Sequence, residues 1–167
     1  MQQEKHMKKN IERISQLERT YVSECLDYGF KSSKGSIFTS RLENAFCEML
    51  GMKYAISFVN GTATMHAALV AAGVGPGHEV IVPPLTMAST AFVALQSGAV
   101  PIFADVDEKT FQIDPNSIRK CITKNTKAII IVALYGLLPD MDEIMSIAEE
   151  FNLVVIEDNA EAVGNTY

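Results

Sequence analysis

The feature that most constrains the fold is an alternation of short Val/Ile-rich runs with helix-like segments of about ten residues. The runs predict strands at 54–59, 79–83, 100–106, 127–134 and 153–157, and the intervening segments predict helices at 62–72, 87–98, 114–122 and 140–151. Near-continuous apolar strands joined by helices are typical of a parallel sheet buried on both faces. The sequence therefore predicts an α/β fold, with a mainly parallel sheet and helices on both faces.

Capping residues mark where several helices begin and end. Ser40 and Glu43 form an S-x-x-E pattern that predicts a helix start, and Gly51 predicts the end of that helix. Asp114 followed by Pro115 predicts an N-cap and a first helical position. Asp140 and Glu143 form a D-x-x-E pattern that predicts the start of helix 140–151. Residues 1–30 also have apolar side chains at helical spacing, and 28–36 break that pattern with glycines and serines. We expect a helical segment followed by a loop before the alternation begins.

Composition and charge exclude several classes of function. A net charge of -6 and a pI near 5.0 argue against a nucleic-acid partner. No apolar run is as long as a membrane span, and the N-terminus has no signal-peptide pattern. The three cysteines are far apart, and no Cys/His pair has the spacing of a metal site. We expect a cytoplasmic protein with no membrane, nucleic-acid or metal partner.

The segment 59–64, with the sequence VNGTAT, follows a predicted strand and opens a predicted helix. Right-handed crossovers bring the carboxyl ends of parallel strands to one edge of the sheet, where α/β folds bind ligands. The unpaired N–H groups of a helix N-terminus attract phosphate, and Gly61 lets the backbone come close. The alternative is that Thr62 only caps its helix. The segment is neither a Walker loop nor a dinucleotide fingerprint.

Asp158 directly follows the last predicted strand, at the same edge of the sheet. A carboxylate at the end of a buried strand needs a partner, because an isolated buried charge is costly. One alternative partner is a backbone N–H or a basic side chain. The other is the protonated ring nitrogen of pyridoxal 5′-phosphate (PLP), which an acidic residue keeps protonated in enzymes that use this coenzyme.

Three long segments together carry a resemblance to a known family. Segments 60–118, 126–144 and 154–167 resemble the DegT/DnrJ/EryC1/StrS family in order and spacing, and the match is nearly continuous from about Gly35 to Tyr167. Members of this family are PLP-dependent aminotransferases of the type I fold that act mainly on nucleotide-linked keto-sugars. The resemblance implies that fold, PLP as cofactor, a nucleotide-sugar substrate and an amino donor such as glutamate.

The resemblance assigns cofactor-binding roles to individual residues. Gly61, Thr62 and Ala63 match the phosphate-binding turn, and Asp158 matches the acid that pairs with the pyridine nitrogen. Glu161 falls where the family often has Gln, and sometimes Glu or His, near the phenolic oxygen of the ring.

Two positions differ from the usual pattern of the family. Met87 stands where many members have an aromatic ring packed on the coenzyme, and a thioether can also cover a ring face. The alternative for Met87 is a core residue of its own helix. Ala133 replaces the His that commonly precedes Leu-Tyr-Gly, which leaves no side-chain role at that position.

The family's catalytic nucleophile has no match in this sequence. The family uses a lysine that forms a Schiff base with PLP, and no lysine follows Lys127 here. The resemblance divides the chain into an N-terminal helical segment and loop at 1–34 and an incomplete PLP-binding domain at 35–167, without the small C-terminal domain. We expect an N-terminal part of the enzyme with no catalytic residue of its own, inactive alone and binding PLP weakly or not at all.

The strand at 54–59 is expected to lack neighbours. In the family's sheet two later strands, which are missing here, separate it from strand 153–157. We therefore expect 54–59 to be displaced, to pair differently or to be completed by another chain, either in a homodimer or with a complementary chain. The alternatives to an enzyme part are a non-catalytic interaction protein, half of a split enzyme, or an unrelated nucleotide-binding α/β domain.

Overall fold

The computed structural model describes residues 14–28 and 36–167, which form two units. The first unit extends to Ile56, and the second is Ser57–Tyr167. The beginning of the predicted N-terminal helix and most of the predicted loop at 28–36 lie outside the described residues. Within the described part of the chain, no helix is both long and apolar enough to cross a bilayer.

The first unit contains helices α1 (Gln16–Tyr28) and α2 (Ile37–Leu50). The side chain of Ser36 caps α2 by accepting a hydrogen bond from the N–H of Phe38. The predicted helix start at Ser40 was therefore wrong, because a capping serine lies one turn earlier. Gly51 ends α2 in the left-handed conformation, as predicted.

The second unit is built on a four-stranded sheet in which all paired strands are parallel. The strands are β1 (Glu79–Val82), β2 (Val100–Phe103), β3 (Thr126–Val132) and β4 (Val154–Asp158). Their order across the sheet is β2-β1-β3-β4. The prediction of a mainly parallel α/β sheet is confirmed.

Helices cover both faces of this sheet. They are α3 (Gly61–Ala71), α4 (Ser89–Gln96), α5 (Pro115–Cys121) and α6 (Met141–Phe151). Ala128 and Ile130 of β3 pack into the same core as α3 and α4, whereas Ile129 and Ile131 pack with α5 and α6. Successive side chains of a strand point to opposite faces, so one apolar run fills two cores.

Two capping predictions in this unit are confirmed. The side chain of Asp114 accepts from the N–H of Asn116 at the start of α5, and Pro115 is the first residue of that helix. Asp140 accepts from the N–H of Glu143 at the start of α6. Such caps depend on groups only two or three residues apart, which is why the local sequence is enough to predict them.

The predicted strand at 54–59 is absent from the structure, and this prediction was wrong. None of the four strands includes these residues, and Val59 is 89% exposed. A strand exists through the hydrogen bonds that it makes with its neighbours. The apolar pattern of 54–59 is therefore insufficient, because no strand of the described part of the chain lies beside it.

Candidate functional site

The candidate site lies at the carboxyl edge of the sheet, where β1 to β4 all end. Helix α3 leads into β1, so its last turn faces the amino edge and its first residue, Gly61, faces the carboxyl edge. Ile156 of β4 packs against the core that contains Met65 and Leu69 of α3. The fold thus brings the start of α3 and the end of β4 to the same edge.

The first turn of α3 keeps two backbone donors available. Asn60 caps the helix, because its Oδ1 accepts from the N–H of Ala63 at 2.9 Å. Within the described residues, the N–H groups of Gly61 and Thr62 have no hydrogen-bond partner. A Cβ added to Gly61 would meet no atom within 4 Å, so open space lies beside this turn. Asn60, rather than Thr62, provides the side-chain cap.

Met87 lies just before α4 and is 74% exposed. Predicting it as a core residue of its helix is therefore wrong, since α4 begins only at Ser89. Met87 lines a groove of about 510 Å³ together with Thr62 from the first turn of α3 and Phe92 of α4. The structure thus places two of the predicted site residues, Met87 and Thr62, in one groove.

Asp158 is the last residue of β4 and lies opposite Val132 of β3. Its carbonyl oxygen accepts from the N–H of Ala133 at 3.1 Å. Its side chain is half-buried, and its Oδ1 accepts from the N–H of Ala160 at 3.2 Å. Oδ1 of Asp158 is therefore paired with a backbone N–H, which was one of the predicted partners. Within the described residues, the other carboxylate oxygen, Oδ2, has no partner.

Glu161 lies three residues beyond Asp158 and binds the turn that follows β3. This short 3₁₀ turn is Leu134–Gly136, and Tyr135 within it has φ of 58°. The N–H of Tyr135 donates to Oε2 of Glu161 at 2.6 Å. The carboxylate of Glu161 thus joins the loops that follow β3 and β4.

Two further side chains bind the same turn, and the sequence analysis missed both. Gln112 is 4% exposed, and its Nε2 donates to the carbonyl oxygen of Leu134 at 3.0 Å. Nδ2 of Asn165 donates to the carbonyl oxygen of Gly136 at 2.7 Å. Both residues are separated from the turn by more than 20 positions, so no local pattern identifies them. The only feature of the sequence that points to Tyr135 as a site residue is its position beside Gly136, directly after the predicted strand 127–134.

The predicted residues therefore form two groups at this edge. The turn 61–63 shares a groove with Met87, and Asp158 shares hydrogen-bonded loops with Glu161. Ala133 is fully buried, and its N–H donates to the carbonyl oxygen of Asp158.

The sequence of the chain matches a known family. The sequence profile of the DegT/DnrJ/EryC1/StrS aminotransferase family matches residues 12–167. The chain belongs to this family. A curated relative of this chain is GDP-perosamine synthase from Caulobacter vibrioides, which is 48% identical over 155 residues, 93% of the chain and 42% of that protein.

Solved structures agree with this membership. An aminotransferase from Psychrobacter cryohalolentis superposes with a TM-score of 0.88 at 41% identity, over 92% of this family member and 39% of that chain. NtdA from Bacillus subtilis, solved with bound cofactor PMP, superposes with a TM-score of 0.84 at 35% identity, over 92% of this chain and 36% of that chain. The chain thus spans about two fifths of the length of the relatives that it matches.

Proposed function

We propose that this chain provides the coenzyme-binding part of a PLP-dependent aminotransferase that acts on a nucleotide-linked keto-sugar. The observation that carries the proposal is the meeting of free backbone donors at Gly61 and Thr62 with the carboxylate of Asp158 at one edge of the sheet. A flat phosphorylated ring needs donors at its phosphate and an acceptor at its protonated nitrogen, and this edge offers both.

The turn 61–63 would hold the phosphate of the coenzyme. The N–H groups of Gly61 and Thr62 are free to donate, and the dipole of α3 favours an anion at this end. The hydroxyl of Thr62 adds a further donor. The open space beside Gly61 supports a close approach of the phosphate to the backbone.

Asp158 would bind the pyridine nitrogen through its free Oδ2. Oδ1 is held by the N–H of Ala160, which fixes the orientation of the carboxylate without using its second oxygen. Met87 lines the groove beside Thr62, where its thioether would cover a face of the ring. Glu161 completes the set beside the ring. PLP, when bound, supplies the electron sink for amino transfer.

Catalysis requires more than these residues provide. Lys127, after which no lysine follows, lies at the amino end of β3, opposite to the edge that holds Asp158. We propose that residues 1–34 form a helical segment and loop and that 35–167 form an incomplete coenzyme domain. We also propose that this chain alone binds PLP weakly and transfers no amino group. The name of the Caulobacter relative supports a nucleotide-linked sugar as substrate. We further propose glutamate as the amino donor and the cytoplasm as the location of the protein.

Titration of the ¹⁵N-labelled chain with PLP tests this proposal. We expect PLP to shift the amide resonances of Gly61, Thr62 and Asp158. Gly61→Ala should leave stability nearly unchanged, because the added Cβ meets no protein atom, but it should weaken PLP binding by blocking the phosphate. Asp158→Asn should also weaken binding, whereas the exposed Asp142→Asn on α6 serves as a matched control. Equal PLP affinity in the parent chain and in Gly61→Ala would refute the phosphate site.

A second candidate function is association with a complementary chain that completes the sheet. It is favoured by the apolar residues Phe58 and Val59, which are exposed and belong to no strand. Mixing the chain with a polypeptide that carries the rest of a relative's coenzyme domain, followed by size-exclusion chromatography, tests this function. Elution as two separate species at high micromolar concentration would refute it.

A further inference from the structure

The residue that precedes the proposed phosphate turn 61–63 is chemically reactive. Asn60 is the only asparagine of the sequence that is followed directly by glycine. Both residues are exposed, and they form the N-cap and the first position of α3. The backbone nitrogen that follows an asparagine can attack the side-chain carboxamide, and glycine hinders this attack least because it has no Cβ. The pair Asn60–Gly61 is therefore a candidate site of spontaneous deamidation.

The attacking nitrogen of Gly61 is available. Within the described residues its N–H donates to no acceptor, and a Cβ at this position would meet no atom within 4 Å. In the reaction this nitrogen bonds to Cγ of Asn60, and the carboxamide nitrogen leaves as ammonia. Water carries the proton of the Gly61 N–H to the leaving group. A second water then opens the cyclic imide at either of its carbonyl groups, which gives aspartate or isoaspartate.

Helix α3 polarises the carboxamide of Asn60. The N–H of Ala63 donates to its Oδ1 at 2.9 Å. Negative charge develops on this oxygen during the attack, and a donor that is already in place stabilises it, as the donors of an oxyanion hole do. The positive end of the helix dipole acts in the same direction. The cap of α3 thus activates a carboxamide that lies next to a glycine nitrogen.

The same turn also restrains Asn60. Its backbone is extended, with ψ of 168°, and its carbonyl oxygen accepts from the N–H of Thr64 at 3.2 Å. Rotation about ψ is needed to bring the nitrogen of Gly61 onto Cγ. The preceding residues Phe58 and Val59 are exposed and belong to no strand, so no sheet holds the chain before the turn. Local opening of an exposed first turn with such a neighbour needs little free energy.

We propose that Asn60 deamidates in the folded protein and that this reaction disables the phosphate turn. Aspartate caps a helix as well as asparagine does, and a negative charge is favourable at a helix N-terminus, so α3 persists. The new carboxylate lies at the anion-binding end of α3, next to the N–H of Gly61, and repels phosphate. Isoaspartate also lengthens the main chain by a methylene group, which displaces that N–H.

The effect on binding rests on the proposed function, whereas the reaction itself does not. A phosphate that accepts from the N–H of Gly61 occupies the attacking nitrogen and holds the turn closed. The coenzyme therefore protects the residue whose conversion would exclude it. A chain without its coenzyme changes irreversibly into a form that binds the coenzyme weakly.

Peptide mapping by mass spectrometry measures the reaction in the whole chain. At mildly alkaline pH without ligand, Asn60 should convert several-fold faster than Asn125. Asn125 is also exposed, but it is followed by Thr126, whose N–H donates to the carbonyl oxygen of Thr123. Gly61→Ala adds only a Cβ beside the attacking nitrogen and should slow the conversion several-fold, with folding checked by circular dichroism. A rate no faster than that of Asn125, or one unchanged by Gly61→Ala, would refute the reaction.

Protection by the coenzyme is measured with two ligands. PLP and pyridoxal share the ring and the aldehyde, but only PLP carries a phosphate. At the same concentration PLP should slow the conversion of Asn60 several-fold, and pyridoxal should leave the rate unchanged. Equal rates with the two ligands would show that the phosphate does not cover the nitrogen of Gly61.

Two variants isolate the charge of the product. Asn60→Asp carries that charge, and Asn60→Ser keeps a capping side chain without a carboxamide. Both should fold, and Asn60→Ser should show no conversion at this position. In ¹⁵N titrations Asn60→Asp should bind PLP about tenfold more weakly than Asn60→Ser, because like charges repel at the end of the helix. Equal affinities would overturn the effect on binding.

The outcomes distinguish this inference from the proposed function. If Asn60 converts but PLP binds neither the parent chain nor any variant, the proposed function fails and the modification site stands. If PLP binds the parent chain but Asn60 stays intact without ligand, the coenzyme site stands and this inference is refuted.

Discussion

Replacement of Tyr135 by glycine should stabilise the protein relative to replacement by alanine. Both variants remove the same exposed side chain, so the loss of its contacts cancels in the comparison. Only the backbone terms differ. The left-handed conformation costs about 1–2 kcal/mol for a residue with a Cβ and almost nothing for glycine.

The opposing term is the greater freedom of glycine in the unfolded chain. It disfavours the glycine variant by about 0.5–1 kcal/mol relative to alanine. The difference leaves Tyr135→Gly more stable than Tyr135→Ala by about 0.7 kcal/mol. For a domain of this size that corresponds to a melting temperature about 3 °C higher.

Urea unfolding followed by far-ultraviolet circular dichroism measures this difference. The chain has no tryptophan, and tyrosine fluorescence would change with the substitution itself. Phe92 is the matched control, because it is an exposed aromatic residue with ordinary helical geometry in α4. There the order should reverse, with Phe92→Gly less stable than Phe92→Ala by about 1 kcal/mol.

The reasoning fails if Tyr135→Gly is no more stable than Tyr135→Ala while the two variants unfold with the same urea dependence. That result would mean that the turn gives up its left-handed residue when the aromatic side chain is removed. The hydrogen bonds from Gln112, Glu161 and Asn165 would then not determine the backbone conformation of the turn.

Two further predictions concern the fold itself. Hydrogen bonds from the N–H groups of Thr110 and Lys109 hold the pKa of Asp107 below its ordinary value, so its ionised form stabilises the folded state. The parent chain should be more stable than Asp107→Asn by an amount that is constant from about pH 5 to 8 and shrinks as the pH falls through the titration of this carboxyl. Urea unfolding at each pH measures this difference, and a difference that grows toward acid would contradict the assignment. Ile130→Ala should cost about 3–4 kcal/mol because Ile130 is fully buried, and thermal unfolding that shows a loss below about 1 kcal/mol would indicate that the core collapses around the cavity.

Residues of the site divide into those that the sequence identified and those that it did not. Gly61, Thr62 and Asp158 were found because each follows a predicted strand, and a parallel sheet brings such positions to one edge. Gln112 and Asn165 were not found, because their partners are 22 and 29 residues away. Only the folded backbone brings a buried amide next to the carbonyl oxygen of Leu134.

The sequence by itself determined the alternation of strands and helices, the parallel sheet, and the caps at Asp114 and Asp140. These features depend on apolar periodicity and on contacts between residues two to four positions apart. The apolar pattern predicted a strand at 54–59, and the resemblance predicted that this strand would lack neighbours. The tertiary structure decided that 54–59 forms no strand, because a strand needs a neighbour with which to share hydrogen bonds. It also decided that the carboxylate of Glu161 binds the backbone of Tyr135, because an acceptor bonds to the donor that the fold places within its reach.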